Sequence, residues 1–221
     1  MGTRRSVLLL TLEEVGRLTS AFNTLKANGI YDAFVERHMR AMMDETPAGD
    51  PTTNLNVAHR GPSFLPWHRA ALLEVANALR AVDPLIDDLP YWDWTADQAL
   101  PGGPTTSQLW TDEYSGPDGD PDQGNRVLTG PFASWRARTY RAQDDSFRTR
   151  SSTGLVRLLG RSRTTTLPTQ GQVTDLMDNY QVYDVSPWDE TCDTRTFPIV
   201  SRDGTGARCC ITGCTIGPVG T

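Results

Sequence analysis

Histidine is scarce in this chain and unevenly placed. His38, His59 and His68 all stand in the first third of the 221 residues, and no histidine follows them. Three neutral imidazoles converging on one point make a borderline-soft nitrogen site suited to copper or zinc, with a coordination position left for a small ligand. A lone inward histidine is more often a satisfied core residue. Here the three histidines are the whole stock of the chain, which favours a metal site. Spacing alone leaves the metal open between copper and zinc. A hydrolytic zinc centre would also need a general base, and none is visible at motif spacing. No catalytic residue beyond the ligands suggests itself.

The second chemically notable group is Cys192, Cys209, Cys210 and Cys214, confined to the last 30 residues. Structural zinc sites favour pairs of C-x2-C, whereas CCITGC offers adjacent and i+4 thiols with no histidine nearby, so a four-thiolate site is disfavoured.

Helices must position the histidines. Thr11 followed by Glu14 forms a capping box, Leu12, Val15, Leu18 and Phe22 recur near helical spacing, and Gly29 can end the element, so a first helix is expected over 12–27. A second should begin near Tyr31, with Phe34, Val35, His38 and Met42 on one face. A third is expected from Trp67 to Val82, with His68, Leu72, Val75, Leu79 and Val82 along its apolar stripe. Gly61, Pro62 and Pro66 argue against a regular helix before Trp67, which leaves His59 on a constrained loop. Antiparallel packing of the second and third helices would let the three imidazoles meet.

Composition narrows the class. A chain of 24.4 kDa fits one domain, and no apolar run approaches the ~20 residues of a bilayer span, so a membrane protein is not expected. Net charge is −6, and the basic residues, Lys26 among scattered arginines, form no stripe, so no nucleic-acid partner is expected. The opening MGTRRSVLLL is cut short by Glu13 and Glu14 before a signal-peptide core could form. As written, the chain would be cytoplasmic unless a carrier took it out.

The stretch HRGPSFLPWHRAALLEVANALRAVDP followed by LPYWDW, residues 59–94, resembles the first copper-binding half of tyrosinases, particularly small bacterial ones. The resemblance includes YDAFVERHMR around His38. It continues more weakly through GPFASW, LPTQGQV and YDVSPWDE to about residue 190. It implies a mainly α fold, a helical bundle with irregular loops around two copper ions, each held by three histidines. It also implies ortho-hydroxylation of phenols and oxidation of catechols to quinones by dioxygen. By this resemblance His38, His59 and His68 are the ligands of the first copper. Bacterial members often take copper from a small helper protein that also carries them out of the cell. Phe64, Trp67, Tyr91, Trp92 and Trp94 read as packing around the metal helices. Arg60 and Asp93 could pair and lock the histidine loop.

A tyrosinase also needs a second triad, and nothing after His68 supplies one, so the chain as written should lack the second copper and be inactive as an oxidase. The alternative is a non-catalytic fragment holding one copper. Residues 1–190 read as the copper domain and 191–221 as a poorly structured tail without helical or alternating period. Reading the tail's codons one base earlier is informative. Cys210 must become Leu, Ile211 and Thr215 become His or Tyr, and residues 210–217 admit Leu-His-Asn-Arg-Val-His-Asn-Trp. Two histidines four apart on one helical face look like the family's second copper motif. The tail is therefore expected to be an out-of-frame reading of the missing half.

Overall fold

Thr11 starts the first helix by satisfying an amide that the helix itself leaves without an acceptor. Its Oγ1 accepts from the Glu14 amide at 3.2 Å while Glu14 Oε2 accepts from the Thr11 amide at 2.8 Å, the reciprocal box expected from the sequence. In the computed structural model, which describes residues 3–43, 56–59, 63–150, 154–161, 166–179, 197–199 and 207–209, this helix is α1 (Leu12–Ala27). Asn28 and Gly29 turn the corner, with Gly29 at φ +80°, a conformation glycine adopts without steric cost, and α2 (Ile30–Met43) follows at once.

The third helix, α3 (Phe64–Val82), begins three residues before the expected Trp67. Pro66 does not prevent this, because it falls in the first turn, where backbone N–H groups have no intrahelical acceptor and a missing one removes no bond. The helical ladder starts just after it, with the Trp67 amide donating to the Ser63 carbonyl at 2.9 Å. A short α4 (Trp94–Gln98) and α5 (Gln170–Asn179) complete the helices among the described residues.

The core forms where α1 lies on α3. Leu18, Ala21, Phe22 and Leu25 of α1 meet Ala76 and Leu79 of α3, and the contact is closed by Ile86 and Leu89 and, from the irregular segment that follows, Val127, Phe132, Trp135 and Leu155. That segment is held by specific polar ties. Asn23 on α1 donates to the Pro131 carbonyl at 3.0 Å and accepts from Trp135 Nε1 at 2.6 Å. Arg157 donates to the carbonyls of Ser115, Gly116 and Pro117 and lies over the Trp110 ring. Gly116 and Gly130 both have positive φ, and a Cβ on Gly130 would come within 2.6 Å of the Gly116 Cα, so both positions require glycine.

A hairpin, β1 (Arg138–Arg141) with β2 (Ser146–Thr149), pairs Arg138 with Thr149 and Arg141 with Ser146 and packs on α2. In the tail, the backbone of β3 (Phe197–Ile199) pairs antiparallel with β4 (Ala207–Cys209). The fold is mainly α with long irregular connections, as expected. Cys192, Cys210 and Cys214 lie outside the described residues.

Candidate metal centre

His38 comes from the middle of α2 and His68 from the second turn of α3. His59 lies between them in sequence, in the described segment 56–59. Its amide donates to Asn56 Oδ1 at 2.7 Å, and the Ala58 amide donates to the Ala41 carbonyl at 3.2 Å, one of the last carbonyls of α2 that the helix cannot satisfy itself. The loop is thus docked on the end of the helix that carries His38, and His59 is buried at 8% exposure.

The three imidazoles face one another. His38 Nε2 and His68 Nε2 are 3.2 Å apart, and one ligand nitrogen from each of the three histidines lies within 4.8 Å of the others. A metal–nitrogen bond of about 2.0 Å places two ligands of a tetrahedral ion about 3.3 Å apart, so the His38–His68 separation suits a shared cation. The Phe64 carbonyl lies 2.7 Å from His68 Nδ1. A carbonyl only accepts, so the proton sits on Nδ1 and the lone pair on Nε2 points at the other rings. Burial pushes the His38 imidazole below its ordinary range, with the neighbouring His68 adding to the effect. Burial likewise lowers His68, partly offset by the Phe64 carbonyl. Both rings are therefore held neutral, the form that binds metal.

The surroundings are aromatic. Phe64 packs on His68 and His59 with ring centroids 4.4 and 5.7 Å away, and Trp67 on His68 and His38 at 4.9 and 5.4 Å. Those two residues sit where the sequence suggested. Tyr91 does not: it is 48% exposed, because its backbone is engaged with Arg5 and Val7 while its side chain points outward. Trp92 belongs to a separate cluster with Val7, Val15, Leu109, Tyr114 and Trp110, and donates to the buried Asp97 carboxylate at 2.6 Å. Trp94 is half-buried and opens α4. Met42, expected on the inner face of α2, is 45% exposed near the helix end.

Asp93 caps α4, accepting from the Ala96 amide at 3.2 Å and the Thr95 hydroxyl at 2.8 Å, while Arg60 lies outside the described residues. Among the described residues the triad is joined by no carboxylate or thiol, so the donor set is three nitrogens. Sequence reasoning missed the fastenings of the triad. The Phe64–His68 spacing of four on a helix and the Asn56 three residues before His59 were the available signals.

A family model described as the common central domain of tyrosinase matches residues 28–198, a span containing all three histidines. The chain belongs to the tyrosinase family. Members of this family bind copper, which an all-imidazole donor set suits. A tyrosinase from Streptomyces antibioticus is 37% identical over 193 residues, covering 87% of this chain and 64% of that protein. Grixazone synthase from Streptomyces griseus is 36% identical over 199 residues, covering 85% and 61%. The chain thus spans less than two thirds of the length of these relatives. Among solved structures, a polyphenol oxidase variant from Thermothelomyces thermophila aligns with a TM-score of 0.56 over 80% of this chain and 54% of that one, at 21% identity, a likeness of fold. Among the described residues no helix is long and apolar enough to cross a membrane.

Proposed function

We propose that this chain carries the first copper site of a tyrosinase-type oxidase, with His38, His59 and His68 as its ligands. The observation that carries the reading is the meeting of the chain's three histidines within 4.8 Å, and burial, which lowers the His38 and His68 imidazoles, favours their neutral form. Copper bound there supplies one-electron redox chemistry toward dioxygen. The chain's own residues prepare the place for it. The Phe64 carbonyl fixes the His68 tautomer, the docking of Ala58 on α2 holds the segment of His59, and Phe64 and Trp67 pack against the rings. The substrates of the complete activity are phenols and catechols, oxidised to quinones with dioxygen. Related aminophenols fall within the same substrate class.

Oxidising a catechol removes two electrons, and a single cuprous ion supplies dioxygen with only one. The 221 residues hold one triad, so by themselves they act as a one-copper unit without oxidase activity. Two histidines of the second triad belong to the out-of-frame reading of residues 191–221, beyond a copper domain over 1–190. Leu65 and Leu73 on α3, the helix that carries His68, are 47% and 43% exposed and support a partner surface for those further helices. A small copper-delivering helper that exports the protein is the matching partner.

Copper titration followed by metal analysis tests this reading. One copper per chain, with catechol oxidation at background, is expected. Two coppers with quinone formation would overturn the one-site reading, and no uptake would overturn the metal assignment. Codons of Cys210 and Cys214 ending in C support the shifted frame, and codons ending in T defeat it.

A further inference from the structure

The helix that carries His38 takes its apolar anchoring at its N-terminal end, where Tyr31 packs on Phe22 and Trp135 with ring centroids 6.2 and 4.7 Å away, and has little of it further along. Over its fourteen residues α2 buries only Ala41, whereas α1 buries five side chains. A ligand must nevertheless be held within about 0.5 Å of its productive place for a metal site to bind well. On α2, Glu36 and Arg40 are one turn apart on one face, and His38 lies between them on the opposite face, toward α3. Both flanking residues are gripped by the β1–β2 hairpin. Arg138 at the start of β1 pairs with Glu36, both side chains being about three-quarters buried or slightly less. At the other end of the hairpin Arg40 Nη1 donates to Asp145 Oδ1 at 2.9 Å and Nη2 to the Asp145 carbonyl at 3.4 Å. The same carboxylate accepts from the Tyr140 hydroxyl at 3.0 Å, and the Arg40 guanidinium lies 5.2 Å over the Phe147 ring. Asp145 itself is at φ +50°, a left-handed conformation uncommon for a residue other than glycine. The hairpin turn is thus built around Arg40.

We infer that the β1–β2 hairpin is a brace for the copper site: it clamps α2 at Glu36 and Arg40, on either side of His38 in sequence, and thereby sets where that imidazole stands relative to His59 and His68. Glu36, Arg40, Arg138 and Asp145 are positioning residues. They touch neither metal nor substrate and act through the backbone of α2. The inference rests on the reading of the triad as a copper site. It assigns a role to a hairpin, 138–149, that begins one hundred residues after His38 in sequence and carries none of the three histidines.

The test is a competition titration of the full chain with a colorimetric Cu(I) chelator, paired with circular dichroism and a thermal midpoint on the metal-free protein. The electron paramagnetic resonance spectrum of the Cu(II)-loaded form completes it. Glu36→Gln and Arg138→Ala should each weaken copper about three- to tenfold, less than loss of a group bonded directly to a ligand, and alter the Cu(II) spectrum while helicity holds. The swapped pair Glu36→Arg with Arg138→Glu should recover most of the affinity. Asp145→Asn keeps a residue tolerant of the left-handed turn while removing the charge, so it loosens the clamp without unfolding the hairpin, and about a threefold loss is expected. Unchanged affinity and spectrum in the three single variants, with the wild type binding copper, would overturn the brace alone. So would an affinity loss that only follows lost helicity or that the swap fails to restore. A wild-type chain that takes up no copper would overturn the triad reading and the brace with it.

Discussion

The α1–α3 contact and the α2 end of the molecule are built in different ways. In the first, Leu25 and Leu79 are almost wholly removed from water and meet a continuous apolar cluster drawn from α1, α3 and the segment 127–155. In the second, Tyr31 at the start of the helix, one buried alanine and a set of ion pairs, Glu36–Arg138, Arg40–Asp145 and Arg37–Glu74, hold the helix that brings His38 to the site. Apolar burial is non-directional and supplies most of the stability, whereas charged pairs at half-exposed positions supply little energy and more geometry. The molecule therefore places most of its apolar burial in one region and the charged pairs on either side of His38 in the other, and disturbing one should leave the other largely intact.

The largest effect that would sharpen this contrast is in the core. Leu79→Ala should cost about 2–5 kcal/mol in denaturant unfolding by leaving a cavity, while copper affinity per folded chain stays unchanged; a matching loss of affinity would break the separation. Asp93→Ala should cost about 1 kcal/mol by removing the α4 cap, and unchanged copper affinity in the same sample would take Asp93 out of the support of the histidine loop.

Acid should act on the metal end. The imidazoles of His38 and His68 are lowered below their ordinary 6.5 by burial, so below that pH the unfolded chain takes up protons before the folded one does. Metal-free stability should be flat above about pH 6.5 and fall as pH drops through the lower folded values, a fall that the double variant His38→Ala with His68→Ala should abolish in pH-dependent denaturant melts. The smallest effect belongs to exposed Glu14, which the Arg5 guanidinium, the Thr11 amide and the Thr11 hydroxyl hold down to about 2. Its contribution should be present above pH 4.5 and disappear as pH falls toward 2, visible as a shallower acid limb in Glu14→Gln, with copper affinity untouched.

What could be read from sequence alone follows the same division. The capping box at Thr11, the stop at Gly29 and the stripe through Leu72, Val75 and Leu79 are local patterns, and they located the helices that form the core. The three histidines were legible because they are the only ones and because two sit at helical spacing from apolar neighbours. The early start of α3 was missed, since proline is read as a breaker although its position in the first turn removes no hydrogen bond. Tyr91 was misplaced because an aromatic residue in a dense aromatic run gives no sign of which neighbour its backbone will bridge. The pairing of Glu36 with Arg138 joins residues 102 apart, and no local period announces a contact that only the folded chain creates. The parts of the site that were hidden are thus the long-range ones.

Closure of the three imidazoles on one copper ion can be measured directly. The most direct measurement is the copper bound per chain, determined by metal analysis after dialysis, for the wild type and for His38→Ala, His59→Ala and His68→Ala. One copper per wild-type chain, lost in each variant whose helical circular dichroism is preserved, is the predicted result. Copper retained in full by all three variants, or no copper in the wild type, would contradict it.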